Sequence, residues 1–134
     1  LYISQRYLSE VFPEKKAFRF RDFDSYVKVQ HELEAADLVF LMPHQLNLLP
    51  KKMFDLFIAI NCLNEMTAAL REYYFQGAHR LAKHIYFKCH KVAETPYEGP
   101  VLEGKDYPVA STWKQIYWRD CKVQDQFFET LYAI

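Results

Sequence analysis

The sequence predicts an α/β fold, a mainly parallel sheet with helices on both faces that ends in an antiparallel hairpin. Three observations carry this. The runs LVFLM at 38–42, FDLFIAI at 54–60 and IYFKC at 85–89 are apolar along their length, as parallel strands covered on both sides must be. Between the second and third, Leu63, Met66, Leu70, Tyr73, Tyr74, Gly77 and Leu81 recur at spacings of three and four, which is the period of one helix face. Last, the aromatic and β-branched stretches 113–123 and 127–134 are separated by Gln124, Asp125 and Gln126, the length of a hairpin loop.

Taken in order, residues 1–12 read as a helix ended by Pro13, and KAFRFRDF at 16–23 alternates like a half-buried strand. Asp24 or Ser25 can cap a helix over 26–36 that turns Val27, Leu33 and Val29 or Gln30 toward a core. A strand–helix–strand unit over 54–89 follows, and such crossovers are parallel and right-handed. Residues 93–108 hold Pro96, Gly99, Pro100, Gly104 and Pro108 and have no apolar period, so they read as a loop or lid. No internal repeat is present, and the whole 1–134 reads as a single domain: helix with inserted strand and helix to 36, parallel strands over 37–92, loop, then hairpin from 109.

Composition narrows the class of function. With 51% hydrophobic residues the chain can build a core. Lys plus Arg equals Asp plus Glu at 17 each, so no net field attracts nucleic acid or an anionic membrane. No apolar run reaches the length of a membrane span, so a soluble cytoplasmic protein is expected. Cys62, Cys89 and Cys121 are odd in number and set in apolar sequence, which suits reduced core thiols; no close Cys/His pair supports a metal site. Lys15–Lys16 and Lys51–Lys52 read as solvated turns, and His79 and His84 as packing or surface residues. Only three glycines occur, too few for a loop that gathers backbone amides onto a phosphate or carboxylate. The first helical period opens at Leu1 without a cap, so the chain is expected to begin partway through its fold.

Ligands of open α/β sheets sit beyond the carboxyl ends of the parallel strands. There the chain offers Pro43, His44 and Gln45 after the first run, Asn61, Asn64 and Glu65 after the second, and Lys88, His90 and Lys91 at the third. The plain alternative is that strand ends are polar because they meet water, and that Asn61 or Asn64 caps the helix while Glu65 suits its positive end.

FDLFIAINCLNEM at 54–66 resembles the fourth strand and following turn of class I S-adenosylmethionine-dependent methyltransferases. The stretch 113–134 resembles their terminal hairpin, whose last strand runs antiparallel to the rest. LYISQRYL, ADLVFLMPHQL, the NEM turn and IYFKC together resemble the sugar O-methyltransferase family. The resemblance implies a partial Rossmann-like methyltransferase sheet, with the glycine-rich segment and the ribose-binding acid lying before Leu1. It implies S-adenosylmethionine as cofactor in the complete protein and a carbohydrate hydroxyl as acceptor. His44 and Gln45 would lie at the adenine and Asn61 on the cofactor side, with Asn61, Asn64 and Glu65 lining the meeting point of donor and acceptor. Asn64, Glu65 and His90 would be catalytic, with Glu65 or His90 as base. His44 and Gln45 stand where many relatives carry an Asp. A homo-oligomer is compatible with this reading. The competing reading is a non-catalytic α/β binding or assembly module that retains the fold. A hydrolase is disfavoured because no G-x-S-x-G elbow is present.

Overall fold

The computed structural model describes residues 2–94 and 101–134, and the chain divides into two compact units, Leu1–Pro50 and Lys51–Ile134. In the first unit, helix α1 (Tyr2–Val11) is followed by strand β1 (Ala17–Phe18), helix α2 (Gln30–Glu34) and strand β2 (Leu38–Val39). β1 and β2 are parallel, Ala17 facing Leu38. The alternation over 16–23 predicts a longer strand than forms, because β2 offers only two residues to pair with. Past it, Phe20 is held through its amide by Gln5 Oε1 at 2.9 Å. The helix expected over 26–36 is split into a 3-10 turn (Tyr26–Lys28) and α2 by Val29, whose φ of −122° and ψ of 1° interrupt the helical path.

The second unit holds a four-stranded sheet of order β3-β4-β8-β7, formed by β3 (Phe54–Ile60), β4 (Ala82–His90), β7 (Lys114–Asp120) and β8 (Phe127–Ala133). β3 and β4 are parallel, joined by helix α3 (Ala68–Leu81). β8 is antiparallel to both β4 and β7, so β3, β4 and β7 share one direction. This sheet is therefore mixed rather than mainly parallel: one of its three pairings is parallel, because the terminal hairpin supplies half of the strands. The hairpin loop is longer than the three residues expected, and Cys121 N donates to Phe127 O across its base at 3.0 Å. β2 pairs with β1 in the first unit and is not a strand of this sheet, which corrects the expectation of three neighbouring parallel strands.

One face of the sheet is covered. Ala59, Ile85, Phe87, Cys89 and Phe128 pack with Phe75 and Ala78 of α3 and with Leu102, Tyr107 and Trp113. Alternation sends Leu56, Ile58 and Ile60 to the other face, where they are 44–58% exposed, so β3 is not buried on both sides as its apolar run suggests. α3 begins later than its apolar stripe: Thr67 is the N-cap, its hydroxyl accepting from Leu70 N at 3.3 Å, and neither Asn61 nor Asn64 caps it. The buried line of α3 is Arg71, Phe75, Ala78 and Leu81, about one residue round from the predicted stripe, and Leu70 is exposed.

Residues 93–108 are not a plain loop. β5 (Val92–Ala93) pairs antiparallel with β6 (Leu102–Glu103), and Leu102 and Tyr107 are buried in the core. The part of the expected lid at 95–100 lies outside the described residues.

Lys52, expected in a solvated turn, ties the unit together. With φ 55°, it donates from Nζ to Ala82 O at 2.8 Å and His79 O at 3.1 Å, and reaches Ile134 O at 3.4 Å. A cation is thus set on the carboxyl end of α3, where the helix dipole is negative. Lys52→Met keeps the stem and removes the charge. It is expected to lower stability by about 1 kcal/mol in a denaturant titration; an unchanged midpoint would show that these bonds only replace hydration.

Candidate functional site at the carboxyl ends of the parallel strands

β3 ends at Asn61, which takes the left-handed conformation at φ 51°, a region Asn tolerates better than most residues. Its amide donates to Lys88 O at 2.8 Å, so the chain turns sharply off the strand while still held to β4. A 3-10 turn (Leu63–Glu65) follows and lies against β4. This turn delivers Asn64 to the interior: it is 5% exposed, and its Nδ2 donates to Glu65 Oε1 at 2.8 Å. Glu65 itself is exposed, on the outer side of the pair. The bond from Nδ2 fixes the orientation of the carboxamide. Asn64 Oδ1 is left buried without a hydrogen-bond partner among the described residues.

In the same unit the alternation of β4 and the start of α3 bring a further set of polar groups together, Cys89, Tyr107 and Arg71. Cys89, fully buried, receives a hydrogen bond from the amide of Leu63 and lies beside the Tyr107 hydroxyl. Burial pushes the Cys89 thiol up to about 11, so it stays protonated and is a poor nucleophile. Burial, and then the neighbouring Cys89, also raise the Tyr107 phenol, which remains a neutral hydroxyl. Tyr107 Oη, like Asn64 Oδ1, has no hydrogen-bond partner among the described residues. Arg71, buried on α3, donates from Nη1 to Met66 O and closes the cluster on the helix side. Buried polar atoms left unsatisfied are costly and few in folded proteins, so Asn64 Oδ1, just past the end of β3, makes this turn the candidate place for a ligand group.

The other expected site residues are distributed differently. His90 alternates with Cys89 and therefore points to the opposite face, its ring 4.0 Å from that of Phe127. It is not brought together with Asn64 and Tyr107. His44 and Gln45 belong to the first unit, in the 3-10 turn Pro43–Leu48. His44 is exposed, whereas Gln45 is fully buried and engaged at both ends, accepting from Met42 N at 2.9 Å and donating to Arg21 O at 2.9 Å. Those bonds hold its own loop. Tyr107 and Arg71 were not singled out from sequence. Tyr107 sits in a Pro/Gly-rich stretch and Arg71 in the middle of a helix, and neither position carries a local signal of burial. His79 has a more specific part than packing: its Nδ1 accepts from Trp113 Nε1 at 2.8 Å, which places its own proton on Nε2.

Among the described residues no helix is long and apolar enough to cross a membrane, and no group of His, Cys, Asp and Glu side chains is placed to hold a metal. What fold and site define is an α/β protein with a mixed sheet and a polar cluster at the carboxyl ends of its parallel strands. No family model matches the chain, and no curated protein or solved structure does either.

Proposed function

We propose that this chain carries the acceptor side of an S-adenosylmethionine-dependent methyltransferase acting on a sugar hydroxyl. The observation that supports it best is strand direction: β3, β4 and β7 run together and β8 opposes them, joined through the crossover helix α3. This is the arrangement expected of the second half of a class I methyltransferase sheet, and the unsatisfied Asn64 Oδ1 lies just past the carboxyl end of β3. The donor set fits part of such a cofactor's surroundings. Asn64 Oδ1 is an orphaned acceptor at the strand end, but the chain has no glycine-rich turn to hold the methionine or ribose ends.

The cofactor, when bound, supplies a methyl group on a positively charged sulfur. The chain's residues have the remaining tasks. Asn64, buried at the end of β3, holds the Glu65 carboxylate through Nδ2 and so orients it toward the incoming hydroxyl. Glu65, hydrogen-bonded to Asn64, is placed to take the proton as charge develops on that oxygen. Tyr107, packed among Phe75, Phe87 and Phe128, walls the cluster from water. The alternative, a binding module without catalysis, is favoured by one observation: the carboxamide of Gln45 is consumed by backbone groups, which leaves only exposed His44 of the two residues assigned to the adenine.

The isolated 134-residue chain is expected to bind S-adenosylmethionine weakly or not at all in calorimetry, since it lacks a glycine-rich turn. Micromolar binding would overturn the assignment of this half to the acceptor. The activity itself is tested in the protein that joins this chain to a glycine-rich segment. Transfer of labelled methyl from S-adenosylmethionine to methyl glycosides is expected, and its absence with a bound, intact cofactor would favour the binding module.

A further inference from the structure

A hollow on the covered face of the hairpin, lined by none of the side chains of the Asn64 cluster, is made by a break in strand register. Regular alternation would turn Gln115 and Trp118 to opposite faces. The pairing of β7 with β8 slips between Gln115 and Tyr117, so Gln115 faces Tyr132 while Trp118 faces Thr130, and both come to the same side. Thr130, fully buried, donates its hydroxyl to Tyr117 O at 2.7 Å and so satisfies the carbonyl beside the bulge.

The consequence is an indole that is 46% exposed, stacked on Phe128 at 5.5 Å and 20° and open to solvent. It lines a hollow of about 610 Å³ with Gln115, Tyr132, Lys91, Glu103 and Lys105. Gly104 forms part of the wall, and a Cβ there would come within 3.4 Å of the Phe128 ring. Tyr132 Oη donates to Gln115 Oε1 at 2.9 Å, which leaves the Gln115 amide hydrogens to donate outward. The charges are internally matched, Lys105 with Glu103 at 2.8 Å and Lys91 with Asp120 at 2.9 Å. A flat aromatic surface edged by amide, phenol and paired charges, with no net field, suits a neutral ligand that has an apolar face and hydroxyl edges. A phosphate-bearing ligand would need uncompensated positive charge.

We propose that this hollow binds one sugar ring, its C–H face on Trp118 and its hydroxyls toward Gln115 and the Glu103–Lys105 pair. The inference needs no methyl donor and stands whether or not the chain takes part in methyl transfer. It is tested with the methyl glycosides of glucose, galactose and mannose, added at millimolar concentration to the ¹⁵N-labelled chain without cofactor. The chain has two tryptophans, so two indole N–H resonances report. That of Trp118 is expected to shift in a saturable way with at least one glycoside, while that of Trp113, bonded to His79, stays in place.

Followed through the side-chain amide N–H resonances of Gln115, which both variants keep, Trp118→Ala should weaken binding by about tenfold or more, and Trp118→Tyr should restore part of it. The Trp113 resonance shows in each variant that the fold is kept. Should Trp118→Ala not fold, Gln115→Ala, exposed on the rim, is expected to weaken binding severalfold instead. The proposal is overturned if no glycoside moves the Trp118 resonance, if both indoles move alike, or if the folded variants bind as the parent does. Sugar binding without methyl transfer would remove the proposed activity and leave this site standing, and methyl transfer with an unresponsive Trp118 would do the reverse.

Discussion

Replacing Phe87 by alanine is expected to destabilise the second unit by about 3–5 kcal/mol, a large fraction of the stability of an ordinary domain. Phe87 is 1% exposed on β4, an interior strand of the four-stranded sheet. Its ring lies 5.4–6.1 Å from those of Phe75, Tyr107, Phe128 and Tyr132, so one side chain joins the helix, the 101–107 segment and the hairpin. Truncation removes the buried area and leaves a hole that rings held on three separate elements cannot all close on. Ile58→Ala is the matching control, because Ile58 is 58% exposed on the uncovered face and should cost less than about 1 kcal/mol. The two variants are compared by denaturant midpoint and near-ultraviolet circular dichroism. Similar losses for both would mean that the uncovered face is as buried in solution as the covered one.

If the proposed methyl transfer holds, Glu65→Gln in the protein that joins this chain to a glycine-rich segment is expected to reduce turnover by about a hundredfold or more with cofactor affinity nearly unchanged, the usual size of a general-base contribution. The substitution is chosen because glutamine retains an oxygen that can accept from Asn64 Nδ2, the bond made by Glu65 Oε1 at 2.8 Å. The position of Asn64 is thereby kept while the proton acceptor is lost. A carboxylate that only serves the start of a helix would behave differently. Its loss would cost about 1 kcal/mol or less of stability and spare turnover. Turnover, cofactor affinity and melting temperature measured on the one variant separate the two roles. Normal turnover removes Glu65 from the mechanism, and His90 does not inherit the role by proximity, since its ring lies on the other face of the sheet against Phe127.

Sequence by itself determined the elements whose pattern is local. The apolar run 54–60 is β3 to the residue, the run 85–89 lies inside β4, and the strands on either side of Gln124–Gln126 form the antiparallel hairpin. In each, apolar and β-branched or aromatic residues agree over five or more positions, and backbone preference needs no distant partner to express it. The strand ends as a place for polar groups were legible for the same reason: a parallel pair with a helical crossover has only one end at which its loops meet.

Tertiary structure decided everything that depends on what lies opposite. β1 and β2 are short because each has only the other to pair with, and the apolar stripe of α3 is turned from the predicted one because the covering 102–113 segment, not the helix, selects its inner face. Asn64 looks like a capping residue in sequence, yet Thr67 caps and Asn64 is buried. Tyr107 looks like loop and is core. The bulge that turns Trp118 to the side of Gln115 has no signature in QIYWRD, because a register slip belongs to a pair of strands rather than to either one. Local sequence sets which backbone a segment prefers, but burial, register and the partners of a polar atom are relations between segments, and they exist only after the chain has closed on itself.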